Sequence, residues 1–167
     1  MFKRKKKVVY KSENNNNLNS DFSAKMIAII LSAICIILCI GTFLYFPLSG
    51  INLPTFYVDN VIWIIFFSVI LITSSIGLLL VTSQGANKKL FIYYFLCGLF
   101  LLLVLLFSHI FSLLLVSLFL SCILLYFAFL TFHELHKTNL TAYYLFIPFI
   151  LFTIFNLIIY YFIVMLN

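Results

Sequence analysis

Charged residues are scarce in this sequence, and its long apolar stretches contain none. Only 8% of the 167 residues are charged, whereas 65% are hydrophobic and the mean hydropathy is +1.24. Soluble domains carry about 25% charged residues, so this chain cannot cover a core with a water-exposed surface. The composition excludes a soluble protein and predicts a small polytopic membrane protein in contact with the lipid bilayer.

The apolar stretches also lack the side chains on which most membrane chemistry depends. No Asp, Glu, Lys or Arg lies within the predicted spans, whereas ion-coupled carriers and proton relays usually bury at least one. Candidate nucleophiles and bases are too few to form a catalytic site. We therefore expect no ion-driven transport and no enzymatic activity, and we predict no catalytic residues.

Histidine and cysteine are few and are not spaced like metal ligands. The order H-E-x-H at residues 133–136 differs from the H-E-x-x-H spacing that places two His on one helix face. Cys35 and Cys39 share a helix face, but no further ligand lies near them in sequence. We predict no metal site. His109 falls in a predicted turn, where it could ligate haem iron or serve only as a polar turn residue.

The positive charge is concentrated in a tail. Residues 1–25 hold seven of the ten Lys and Arg, followed by an Asn-rich run, which predicts a disordered basic segment. A Lys run beside a span usually sets membrane topology and attracts anionic lipid head groups, so we expect no nucleic-acid partner. The apolar stretch 26–46 is too long for a signal-peptide core and lacks a cleavage site, so it is interpreted as a span.

Five apolar segments are each long enough to cross roughly 30 Å of hydrocarbon. A single helix from Leu90 to Phe132 would be about 64 Å long, so we expect a tight turn at Ser108–Ser112. A polar loop is expected at His133–Asn139, and Pro148 is expected to interrupt the last span. The predicted fold is all-α, a bundle of five transmembrane helices that forms one domain, with spans at about 26–46, 61–81, 90–108, 112–132 and 142–165.

The distribution of positive charge predicts the orientation of this bundle. With the N-terminus in the cytoplasm and five spans, all ten Lys and Arg fall on one face of the membrane. We therefore expect the C-terminus to be extracytoplasmic. A bacterial cell membrane is the expected location.

Aromatic and amide side chains are the remaining candidates for a binding site. The chain has 21 Phe, 10 Tyr and a single Trp, and so many rings must either interdigitate or enclose a cavity. Asn156 is a lone amide inside the fifth span, so it needs a partner in the bundle or in a ligand. Both roles for Asn156 stay open at this point.

Two segments carry a family resemblance. Pro54, Tyr57, Trp63 and Phe67 follow a spacing that resembles P-P-x-W-x-F-x-P-x-W-x-x-L-Y of the TspO/MBR family, the tryptophan-rich sensory or translocator proteins. The segment I-P-F-I-L-F-T-I-F at residues 147–155 resembles the V-P-Y-L-x-W-x-x-F of the same family, and the chain likewise ends in L-N. Five spans and a tight turn between the third and fourth also agree.

The sequence departs from the family pattern mainly in the third helix. Cys97, Leu101 and Leu102 stand near the positions of the expected Gln and Asn. Thr55 replaces the second Pro of the first motif, and Tyr160 replaces an Asn in the fifth helix. The chain thus resembles a divergent member of the family.

The resemblance implies a five-helix bundle that binds a flat apolar ligand, such as a porphyrin, another tetrapyrrole or a sterol, beneath the first loop. No cofactor is required, and bound porphyrin or haem is expected only as a ligand. A sensing, receptor-like or transport-regulating role would follow by analogy. The implied ligand-binding residues are Pro54, Tyr57, Trp63, Phe67, Pro148, Phe152, Phe155 and Asn156.

The alternative is an accessory membrane protein that packs against a larger partner and binds no small molecule. Whether the chain forms a homodimer is left open.

Overall fold

The computed structural model consists of apolar helices. It describes residues 26–27, 29–30, 32–42, 44, 48, 51–57, 60–82 and 88–167, and contains no strand within them. The helices are α1 (Ser32–Thr42), α2 (Asn60–Thr82), α3 (Lys88–Leu105), α4 (Leu114–Thr138) and α5 (Leu140–Leu166). The predicted basic tail lies outside the described residues, as do parts of the first span and Asp59. The fold class is all-α, as predicted.

Within the described residues, four helical spans are long and apolar enough to cross a membrane. With α3 counted through to Ile110, they have 22 to 27 residues, which corresponds to about 33–40 Å of helix, against roughly 30 Å of hydrocarbon. α5 packs against both α2 and α4, and α4 packs against α3. The chain is therefore an integral membrane protein built around α5. We call the end of the bundle that carries residues 51–57 the loop end.

The turn between α3 and α4 lies slightly later than expected. After Leu105 the helix widens into one π-helical turn, Leu106–Ile110, before the chain reverses. Ser112 adopts a positive φ of 53°, and the Leu113 N–H donates to the Phe107 carbonyl at 2.8 Å. Ser108 and His109, expected in the turn, are instead buried within the π-helical turn.

The expected polar loop at His133–Asn139 is wrong, because α4 continues to Thr138. No Gly or Pro interrupts this segment, and its polar groups bond locally: the Thr138 hydroxyl donates to the Glu134 carbonyl at 3.0 Å. Asn139 alone separates the two helices, and its side chain caps α5 by accepting from the Ala142 N–H at 2.9 Å. The interruption expected at Pro148 is also wrong, since α5 runs through it. Membrane helices tolerate an internal Pro in this way.

Candidate ligand site at the loop end

The predicted site residues come from three parts of the chain that meet at the loop end. Trp63 and Phe67 lie four residues apart, so they project from one face of α2. Phe152 and Asn156 have the same spacing on α5. Residues 51–57 cover this junction, with a tight turn in which the Tyr57 N–H donates to the Pro54 carbonyl at 2.8 Å. The packing of α2 against α5 therefore assembles the site.

Trp63 is at the centre of an aromatic cluster. Its ring centroid lies 5.9 Å from that of Phe152 in an edge-to-face arrangement and 5.8 Å from that of Phe155, which stacks on it. Tyr57 and Phe67 lie 6.0 and 6.4 Å away. Phe67 and Phe152 are in contact at 4.4 Å. These separations are typical of favourable aromatic pairs, and they bring five of the eight predicted residues together.

Beside this cluster is a small cavity, which we call the loop-end cavity. Its volume is about 20 Å³, which is enough for about one water molecule. Its aliphatic lining consists of Leu48, Leu105, Ile159 and Ile163. Its aromatic and polar lining consists of Tyr57, Trp63, Phe67, His109, Asn156 and Tyr160. The rings thus fill most of the space in which a flat ligand would have to lie.

Two polar groups at this cavity have no hydrogen-bond partner among the residues that the structure describes. The indole N–H of Trp63 is buried and makes no hydrogen bond within the described part of the chain. Asn156 is 8% exposed, and no hydrogen bond of its side chain joins it to another described residue. Buried polar groups in native proteins are nearly always paired. A donor and an amide thus lie beside the cavity without a hydrogen-bond partner among the described residues.

The sequence did not predict His109 and Tyr160 as members of this group. The Tyr160 hydroxyl donates to Ser108 Oγ at 2.7 Å, which ties α5 to the π-helical turn. That turn brings His109, 7% exposed, to the cavity wall. The spacing of Asn156 and Tyr160, one helical turn apart, was the available signal for Tyr160. Nothing in the sequence indicated the π-helical turn.

Tyr57 is the one cavity residue that lies outside the membrane helices and has a shifted pKa. Burial raises the pKa of its hydroxyl to about 12, because the charged phenolate would be poorly solvated there. The hydroxyl is therefore neutral at physiological pH, and the site presents no charge from this residue.

The covering segment is fastened to the end of α5. The side chain of Asn167 accepts from the Asn52 backbone N–H at 2.8 Å and donates to the Asn52 carbonyl at 3.0 Å. Phe56 meets Phe162 edge to face, with ring centroids 5.3 Å apart. We call these contacts the loop latch. Opening the site from this side would require breaking them.

Pro54, Phe155 and Pro148 are predicted residues that do not line the loop-end cavity. Pro54 is buried within the covering segment. Phe155 is 39% exposed, so it shields Trp63 from the outside of the bundle. Pro148 is exposed and lies two turns from Asn156 towards the opposite end; it is not among the residues that line the loop-end cavity.

No family model matches this chain, and no curated protein does. The site therefore rests on its own geometry. Within the described residues there is no group of three or more His, Cys, Asp or Glu side chains that could hold a metal ion. Aromatic stacking and a few hydrogen bonds are what this arrangement can offer a ligand.

Proposed function

We propose that this membrane protein binds a flat, hydrophobic, conjugated molecule of the porphyrin or sterol class at the loop end, in a sensing or transport-regulating role like that of the TspO/MBR family. The observation that carries the proposal is the cluster of five aromatic rings centred on Trp63, beside the Asn156 amide and a Trp63 N–H that has no partner among the described residues. Rings would stack on a conjugated ligand, and the polar groups would orient it.

The size of the loop-end cavity sets a condition on this binding. Pockets for drug-sized ligands have volumes of about 300–1,000 Å³, far above the 20 Å³ found here. A porphyrin therefore requires the covering segment 51–57 to move away from Trp63. The loop latch is the contact that opposes this movement, and its hydrogen bonds are on the exposed surface. We expect the open form to be a minor state that the ligand stabilises.

Fluorescence of the single Trp tests the proposal. The full chain in lipid nanodiscs is titrated with protoporphyrin, and empty nanodiscs give the lipid-partition baseline. We expect saturable quenching of Trp63, and in a Trp63→Leu variant we expect weaker binding by porphyrin absorbance. Absence of a saturable component above the baseline, with a sterol probe as well as with protoporphyrin, would favour the accessory-protein alternative.

Two adjacent residues of α2 provide a matched control. Phe67 is 3% exposed and belongs to the cluster, whereas Phe66 is 54% exposed on the outside of the bundle. We expect Phe67→Leu to weaken porphyrin binding about tenfold, an amount typical of a lost aromatic pair, and Phe66→Leu to leave it unchanged. Equal effects of the two substitutions would indicate that porphyrin binds nonspecifically to the lipid-facing surface.

A further inference from the structure

A second cavity lies between α1, α2, α3 and α5, further from the loop end. Its volume is about 130 Å³, several times that of the loop-end cavity. Most of its lining is apolar, and aromatic side chains of α3 and α5 contribute, among them Tyr94, Phe146 and Phe149. Gly98 of α3 and Cys35 of α1 both line this space, and a Cβ atom on Gly98 would make an ordinary contact, 3.5 Å, with the Cys35 sulfur.

The cavity contains one unpartnered buried hydroxyl, that of Ser74. The side chain is 4% exposed, and its Oγ has no hydrogen-bond partner within the part of the chain that the structure describes. Other serines of the bundle behave differently. The hydroxyls of Ser68, Ser117 and Ser121 each donate to the carbonyl four residues earlier, at 2.8 to 3.1 Å. We call this space the Ser74 cavity.

The run Thr73-Ser74-Ser75 explains why Ser74 is left unpaired. A helical serine can donate to the carbonyl three or four residues earlier, which here means Leu71 or Ile70. The Thr73 hydroxyl already donates to the Ile70 carbonyl at 2.9 Å, and the Ser75 hydroxyl to the Leu71 carbonyl at 2.6 Å. Each of these carbonyls also accepts a backbone N–H of the helix, so both of its lone pairs are used.

The neighbouring polar groups of the cavity are already engaged. The Tyr94 hydroxyl donates to the Ser74 backbone carbonyl at 2.8 Å. The Cys97 thiol is 3.5 Å from the Thr131 hydroxyl. In an apolar membrane interior no water compensates an unpaired hydroxyl. Ser74 lines the cavity, but its Oγ is enclosed by neighbouring atoms, so the side chain must rotate about χ1 before it can bond a molecule there.

The size of the cavity limits the molecule. A dry apolar cavity of about 150 Å³ in another protein binds benzene, so the 130 Å³ here fits one aromatic ring but no fused or tetrapyrrole system. Aromatic walls favour a ring over an aliphatic chain, and one hydroxyl on the ring would pair with Ser74. We propose that the Ser74 cavity is a binding site for a single-ring phenol, with Ser74 as its hydrogen-bond partner.

The proposal is tested with the full chain in nanodiscs and a matched pair of ligands, 4-fluorophenol and fluorobenzene, followed by fluorine NMR. Empty nanodiscs correct for partition into lipid. We expect saturable binding of both ligands, with the phenol tighter. Ser74→Ala should weaken the phenol about fivefold, the value of one net hydrogen bond, and leave fluorobenzene unchanged. Ser121→Ala, a buried serine of α4 outside the cavity, should change neither.

Substitutions at Gly98 fill the cavity and provide the second arm. Gly98→Leu should abolish saturable binding of both ligands. Gly98→Ala, whose methyl group makes only an ordinary contact with Cys35, should fold normally and weaken both ligands similarly. Saturable binding that persists at full strength in both Gly98 variants would overturn the site. An equal loss of phenol and fluorobenzene in Ser74→Ala would overturn the role of Ser74.

Thiol chemistry gives an independent readout within the same chain. Cys35 lines the Ser74 cavity, whereas Cys122 is exposed on the outside of α4. We expect 4-fluorophenol to slow the modification of Cys35 by a small methanethiosulfonate reagent and to leave Cys122 unaffected. Equal rates at Cys35 with and without the phenol would contradict occupancy of the cavity. Binding should survive Trp63→Leu, which separates this site from the loop-end site.

Discussion

The loop-end cavity and the Ser74 cavity differ in how their space is used. At the loop end, aromatic rings fill the space and leave about 20 Å³ beside a Trp63 N–H that has no partner among the described residues. Around Ser74, the side chains of α1, α2, α3 and α5 leave about 130 Å³. The first would have to open to take the large ligand proposed for it. The second already has space for the small ligand proposed for it. Aromatic content alone therefore does not predict where a pocket will be.

Removing a ring from the loop-end site should have the largest effect on stability. Phe152 is 2% exposed and contacts both Trp63 and Phe67. We expect Phe152→Ala to lower the free energy of unfolding by about 3 kcal/mol, as large-to-small core substitutions do. Titration with SDS in mixed micelles would measure it. Phe155→Ala, at a 39% exposed position, is the control and should cost less than half as much. Equal losses would mean that the loop end is not tightly packed.

Filling the loop-end site with an apolar side chain should stabilise the protein and impair binding. Asn156 has no hydrogen bond with another described residue, so Asn156→Leu removes a buried polar group without breaking a hydrogen bond to the described part of the chain. We expect a gain of about 1 kcal/mol in the free energy of unfolding, and weaker porphyrin binding. Such a trade-off is common where a polar group serves function. A large loss of stability would instead show that Asn156 has a structural partner.

Weakening the loop latch should shift the loop-end site towards its open form. Asn167→Ala removes two hydrogen bonds to the Asn52 backbone, which are worth about 1 kcal/mol in total at an exposed position, and one to the Ile163 carbonyl within its own helix. We expect stronger acrylamide quenching of Trp63 and tighter porphyrin binding, because less energy is needed to open the site. Asn52→Ala keeps both backbone groups and loses only a 3.4 Å contact to the Leu166 carbonyl. It should therefore behave almost like the unmodified chain.

The smallest effect concerns the titration of Tyr57. Its pKa is raised by burial to about 12, above the usual value of about 10. The folded state therefore holds this proton more tightly, and the resulting stability is present below pH 10 and is lost as the pH rises towards 12. A phenolate 6.0 Å from Trp63 should also quench its fluorescence. We expect the difference in Trp63 fluorescence between the unmodified chain and Tyr57→Phe to show a step near pH 12. A step near pH 10 would mean that Tyr57 is solvated.

Much of the candidate site could be predicted from local spacing. Trp63 with Phe67, and Phe152 with Asn156, lie four residues apart, so each pair shares a helix face whatever the rest of the fold does. Pro148 was predicted with them because of a motif, but it is exposed. The family pattern also directed attention to Cys97 and Leu101 of α3, but these residues line the Ser74 cavity. The part of α3 that reaches the loop end is Leu105, with the π-helical turn that follows it.

Composition and the lengths of the apolar runs by themselves determined the class of this protein, because crossing a membrane requires about 20 apolar residues and internally bonded backbone. The tertiary structure decided which faces meet. Helices that are apolar on every side carry little information about their rotation, so the sequence does not show that Asn167 reaches Asn52 or that His109 is buried by a π-helical turn. It also does not show that Ser74 lies beside a cavity with a hydroxyl that has no partner among the described residues. Those outcomes depend on contacts between residues far apart in the chain, which only the packed bundle brings together.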